Sequence, residues 1–230
     1  MDKQTIIHNL RRDLHSAIET RSTITRSSLA QARLALRQFQ MARLAQTHAD
    51  FLANKETRLA ALFFLEDLYG TNDFSGRDAD IERVIPIMER VLPLIALQYI
   101  AEAIELDALS EALDVDMANK LGEQFSDDAY VQAYRKVKTR SDREKQLAHI
   151  DSVGHSLCEL VHMPLIGASI KGMSIPARLT GLFELHQFLK RGFDAFKQLK
   201  NPEAFVETIV QRELIILNNL YSGKENPLKI

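Results

Sequence analysis

Asp151, His155, Glu159 and His162 in DSVGHSLCELVH fall at i, i+4, i+8 and i+11, four metal-ligand side chains at helical spacing. On a helix they form one ridge of carboxylate and imidazole, the donor chemistry that holds two metals between the helices of a bundle. Two more carboxylates sit on apolar stripes. In LFFLEDLYG, residues 62–70, a helical wheel puts Glu66 between Leu62 and Phe63, and Asp67 between Phe63 and Phe64. In PLIALQYIAEAIELDAL, Glu102 shares a stripe with Ile95, Leu106 and Leu109, with Glu105 at its edge. An unpaired carboxylate on such a stripe would take up a proton rather than stay charged. Metal is one way to neutralise these acids: Glu66, Glu102, His155, Glu159 and His162 would be the donors, with iron or manganese as the cofactor. Arginine is the other. Arg77 and Arg83 follow LFFLEDLYG and Arg58 precedes it. Glu66 and Asp67 meeting Arg77 and Arg83 across the turn, with Tyr69, Asp73 and Asp78 beside them, would make a buried clasp between two helices. The same residues could instead floor a small-molecule pocket near Tyr69, Arg77 and Gly181.

The wheel favours the clasp. Leu147, Ile150, Val153, Leu157, Leu160 and Val161 centre the apolar face around the ridge, which lies roughly 145° away from that centre at 3.6 residues per turn. A ridge so placed is expected in water while Glu66 and Glu102 face inward, and no histidine lies between His48 and His149 to complete a second metal position. Cys158, between His155 and His162, reads as apolar filler rather than a nucleophile. IGASIKG, residues 166–172, lacks both the phosphate-loop and the nucleophile-elbow spacing. RKVKTRSDREK, residues 135–145, is basic and follows Tyr130 and Tyr134, but acids interrupt it; it reads as a solvated connector.

The elements that must position these residues are helices. Apolar residues recur at helical spacing along most of the chain and strand alternation is scarce. Helices are expected near 3–23, 27–53, 55–69, 77–92, 93–121, 127–149 leading into 150–163, 175–199 and 202–221. Capping residues and prolines mark their ends: Ser75 before RDADIERV, Ser174 with Pro176, Asn201 with Pro202, and Gly223 at the last C-terminus. Pro86 and Pro93 predict a kink and a break. Gly181 and Gly192 on the apolar side of one helix predict a close neighbour. The architecture this implies is one all-α domain over residues 1–230, a bundle of eight or nine mostly antiparallel helices with a tail over about 223–230.

Net charge is −2, but it is segregated: residues 1–60 carry +5, residues 61–130 carry −12 and residues 131–230 carry +5. The acidic middle is expected to attract its basic flanks within the fold, and Arg33, Arg37 and Arg43 read either as a wet helix face or as its partners. Nothing in this balance points to nucleic acid. The single cysteine fits a reducing compartment, the longest apolar run is too short to span a bilayer, and a cytoplasmic location is expected.

Two resemblances add to this. The His-x-x-x-Glu-x-x-His part of the ridge resembles the third-helix pattern of haem-oxygenase-like di-iron oxidases, which implies an iron or manganese enzyme. FFLEDLYGTNDFSGRDADIERVIP, residues 63–86, with SIPARLTGL, 174–182, and FLKRGFDAF, 188–196, resembles an uncharacterised family of bacterial all-helical proteins. That resemblance implies a bacterial, cytoplasmic helical protein and brings no activity or catalytic residue with it. The leading expectation is a non-enzymatic interaction or scaffold protein with a structural clasp and no cofactor, its partner another protein or a second copy. A di-metal oxidase and a small-molecule binder are the alternatives.

Overall fold

Residues 1–25, 29–68, 70, 75–172 and 182–230 are described by the computed structural model. They form eleven α-helices and no strand: α1 (Lys3–Thr25), α2 (Leu29–Thr47), α3 (Ala49–Ala53), α4 (Arg58–Leu62), α5 (Ser75–Val91), α6 (Leu94–Leu121), α7 (Asp127–Val137), α8 (Arg140–His162), α9 (Pro164–Gly172), α10 (Phe183–Lys197) and α11 (Pro202–Ser222). The protein is all-α as expected, with more helices than the eight or nine anticipated. Tyr69, Asp73, Ser174, Pro176 and Gly181, to which the sequence drew attention, lie outside the described residues.

The extra helices have local causes. The run expected over 127–163 breaks because Lys138 is extended and Thr139 restarts the chain. The Thr139 hydroxyl accepts from the Asp142 amide while the Asp142 carboxylate accepts from the Thr139 amide, a capping box that opens α8. The run expected over 27–53 breaks at His48, which starts α3. Pro164 opens α9 through the glycine-bearing stretch IGASIKG, where no helix was expected. Elsewhere the punctuation acts as its chemistry dictates. Pro86 lies inside α5 and Pro93 caps α6. The Asn201 side chain accepts from the Ala204 amide, and Gly223 closes α11 in the left-handed region at φ 80°.

α4 continues directly into a π-helical turn, Phe63–Leu68. Its i→i+5 bonding fits more residues into a turn than an α-helix does, so a 3.6-residue wheel drawn through FFLEDL places Asp67 inward correctly but misplaces Glu66. Glu66 is exposed and Asp67 buried. Gly192 lets α10 come close to this turn: a Cβ there would lie 2.7 Å from the tip of the Phe63 ring. Gly154 does the same between α8 and α11, where a Cβ would meet Val206 at 2.5 Å.

α6 is the central helix and packs against α1, α2, α7 and α8, while α8 also packs along α11. One apolar cluster joins α1, α5 and α6 through Leu10, Leu14, Ile85 and Leu97. A second joins the π turn to α8, α10 and α11 through Phe63, Val161, Phe196 and Phe205. A third, around Leu36, Met117 and Tyr130, joins α2, α6 and α7. Among the described residues no helix is long and apolar enough to cross a membrane.

Candidate functional site

The acids that matter most lie on α6, in ELDALSEALDVD. Asp107, Glu111 and Asp114 stand at i, i+4 and i+7, one face of the helix. Glu111 is 1% exposed and takes three guanidinium groups: Arg21 at 3.2 Å, Arg33 at 2.7 Å, and Arg37. Arg21 also reaches Asp78 and Asp107, Arg77 bridges Asp78 at 2.8 Å and Asp107 at 3.4 Å, and Arg37 lies 3.3 Å from Asp114. Arg37 further donates to the Gly70 carbonyl at 3.1 Å. Three of the four arginines come from the basic first segment and all four acids from the acidic middle, so part of the segregated charge is paired within the fold.

This is a buried polar network, but not the clasp expected from the sequence. Asp67 accepts from Arg191 of α10 at 2.5 and 2.9 Å, in place of Arg77 or Arg83. The close approach at Gly192 brings α10 against the π turn, and Arg191 comes with it. Glu66 is exposed because the π turn rotates it outward, and Arg58 is exposed. Arg77 and Asp78 belong to the α6 network, while Arg83 meets Asp80 at 3.7 Å with half its side chain in solvent. Nor do the expected metal donors gather: among the described residues no three His, Cys, Asp or Glu side chains come together as a metal site. Glu159 accepts from the Tyr99 hydroxyl, and His155 lies 3.2 Å from Asp151. His162 is exposed at the end of α8, and Glu102 faces His149 at 3.8 Å. Burial pushes the Cys158 thiol up to about 12, which leaves it protonated and unreactive at neutral pH.

Beside the network lies a cavity of about 210 Å³. Its walls are mainly apolar: Leu147, Ile150, Val153 and Leu157 of α8, Ala103 and Leu106 of α6, Val206 and Ile209 of α11, and Phe64, Phe188, Phe196 and Phe205. From Arg143 to Leu157 the lining follows about 21 Å of α8 at 1.5 Å per residue. The polar lining includes Arg37, Arg43, Asp114, Tyr130, Tyr134, Arg143, Gln146 and Glu213. Arg43 meets Glu213 at 2.5 Å, and Gln146 of α8 donates to the Ser110 hydroxyl of α6 at 2.9 Å.

Arg143 stands apart from the other cavity arginines. It is 3% exposed, and its guanidinium stacks 4.2 Å from the centre of the Tyr134 ring. Among the described residues no carboxylate lies within ion-pair distance of it, and its Nε and Nη2 have no hydrogen-bond partner. The sequence carried a signal for this placement. Arg143, Leu147, Ile150, Gly154 and Leu157 share one stripe, so the basic connector contains an arginine aligned to the apolar face of α8.

Burial sets the protonation of the cavity wall. It raises the Tyr134 and Tyr130 hydroxyls, against the pull of Arg143 and Arg43, so both remain donors. It would raise Glu213 as well, but Arg43 and His48 outweigh it and hold that carboxyl below the usual range. Asp114 goes the other way: burial raises its carboxyl and Arg37 offsets this only in part. The stability it contributes is complete below the ordinary carboxylate value and lost as pH rises through its folded value. Asp114→Asn abolishes that ionisation. The variant's stability relative to wild type is therefore expected to climb with pH across this window and level off above it. Urea denaturation of both proteins over a pH series measures the difference; a relative stability that falls as pH rises contradicts the assignment.

The fold and the cavity define an all-α protein with an apolar chamber set against a buried arginine–carboxylate frame. The chain belongs to the family described as Domain of unknown function (DUF8198), whose model matches residues 19–227. This agrees with the resemblance to an uncharacterised family. No curated protein and no solved structure matches the chain.

Proposed function

We propose that this protein binds a small, largely apolar molecule inside the helical domain, in the cavity bounded by α6, α8 and α11. The observation that carries the reading is the cavity itself, about 210 Å³ lined mainly by aliphatic and aromatic side chains, with charged and polar groups among them that are largely paired with one another. Binding sites for small molecules have this composition, and the volume falls below the roughly 300–1,000 Å³ of drug-sized pockets, so the ligand is a compact ring or a short chain. Half-buried Leu147, Ile150 and Val153 of α8 line it together with half-buried Ala103 and Leu106 of α6, so the two helices leave room between them. The arginine–carboxylate network, whose Arg37, Arg77, Asp107 and Asp114 line the cavity, ties α1, α2 and α5 to α6 and fixes one wall in place.

Titration with 1-octanol, a neutral apolar probe, tests the reading. Saturable binding by calorimetry is expected for wild type. Val153→Phe, which fills the chamber from α8, is expected to weaken it at least tenfold while the circular dichroism stays helical. No saturable binding to wild type, or equal binding to the filled variant, removes the proposal.

A further inference from the structure

We infer that the ligand of this cavity carries one carboxylate and that Arg143 is its anchor. The inference rests on the cavity being a binding site and adds the chemistry of what enters it. Of the four arginines on its wall, Arg37, Arg43 and Arg77 each have carboxylate partners on the protein. Among the described residues Arg143 has none, although it is 3% exposed. A guanidinium cannot shed its charge to escape burial, so an unpartnered one costs stability unless something else meets it.

The unsatisfied atoms specify the partner. Nε and Nη2 of Arg143 both lack hydrogen-bond partners among the described residues. These two N–H groups lie on one edge of the guanidinium and point the same way, a fork that matches the two oxygens of a planar carboxylate. The requirement against a second negative charge comes from Asp107, Asp114 and Glu213 on the same wall, which already pair with Arg77, Arg37 and Arg43 and leave one cation uncompensated. A phosphate dianion would bring a second charge with no cation left to meet it; a single carboxylate compensates Arg143 and no more. Tyr134, stacked on Arg143 and held protonated by burial, fixes the plane of the fork. Leu147, Ile150 and Leu157 continue from Arg143 along α8 and would receive the apolar body of the ligand. The class is therefore a monocarboxylic acid with a short aliphatic or aryl-alkyl tail.

Octanoate and 1-octanol, with the same chain length and different heads, separate the parts of this argument. Wild type is expected to bind octanoate about 10- to 100-fold more tightly than the alcohol, the range of a charge-assisted hydrogen-bond pair. Arg143→Met is expected to abolish that preference, leave octanol affinity within about threefold, and raise the melting temperature without ligand by about 2–4 °C, the response of a chain this size to about 1 kcal/mol. Arg143→Lys keeps the charge without the fork and should retain only part of the preference. Octanol bound as tightly as octanoate overturns the carboxylate anchor and leaves the apolar cavity standing. Binding of neither probe overturns the cavity reading itself. A preference for octanoate that survives Arg143→Met, or a variant less stable than wild type with the preference intact, makes Arg143 a structural residue and removes the inference.

Discussion

Glu111→Ala is expected to cost about 3–5 kcal/mol of folding stability, the range for breaking a buried ion pair by removing one member. Glu111 is 1% exposed and compensates guanidinium groups from two helices, Arg21 of α1 and Arg33 and Arg37 of α2. Alanine leaves those cations with less negative charge in a site that water barely reaches. The remaining acids relieve part of this: Arg21 keeps Asp78 and Asp107, and Arg37 keeps Asp114. Arg33 has no comparable second partner among the described residues and moves toward solvent, which its 20% exposed side chain permits. Glu111→Gln preserves shape and one acceptor oxygen and should recover a minority of the loss, because the missing quantity is charge. Urea denaturation gives both values. A loss under about 1 kcal/mol for Glu111→Ala would place this group among ordinary surface pairs and contradict its burial. Coupling to Arg37 is the sharper measurement: a double-mutant cycle between Glu111→Ala and Arg37→Ala should return an interaction of roughly 0.5–3 kcal/mol.

The fold class was legible because local chemistry decided it. Asn201, Pro202 and Gly223 bound α11, and Pro93 precedes α6, for reasons confined to a few residues. The segregation of charge also pointed to internal pairing, and Arg21, Arg33 and Arg37 do meet acids of the middle segment. The candidate site was less legible. A helical wheel assumes one pitch, and the π turn at Phe63–Leu68 broke that assumption at Glu66, which is exposed, while Asp67 is buried as the wheel expected. Asp67 then found its partner 124 positions away, at Arg191, a separation that no local pattern encodes. Both residues lie in stretches singled out for another reason, FFLEDLYG and FLKRGFDAF, and in the fold those stretches touch through Phe63 and Gly192. Two signals were present and passed over. Asp107, Glu111 and Asp114 share one face of α6, and Arg143 shares the apolar stripe of α8.

Arg77 and Arg83 are expected to part company on mutation, although both lie on α5. Arg77→Ala should cost about 3 kcal/mol, the lower end for a broken buried pair. Arg77 is buried, holds Asp78 at 2.8 Å with Asp78 only 2% exposed, reaches Asp107, and lies 5.4 Å from the centre of the Phe188 ring. The loss stays at the low end because Arg21 still serves both acids. Arg83→Ala should cost less than about 1 kcal/mol, since its side chain is 52% exposed and its pair with Asp80 spans 3.7 Å. Arg77→Lys separates charge from geometry. An ammonium is a point donor and cannot span Asp78 and Asp107 as the planar guanidinium does, so lysine should restore less than half of the loss. Urea denaturation of the three variants measures all of this at once. Full recovery by lysine would mean that charge alone fixes α5 against α6; equal losses for Arg77→Ala and Arg83→Ala would mean that burial does not govern this network. Arg77 also lines the cavity, so the alanine variant that loosens the frame should weaken octanol binding as well, while Arg83→Ala should leave it unchanged. A frame and a chamber that respond together to one residue, and not to another on the same helix, is the behaviour expected if the buried charges hold the binding wall in shape.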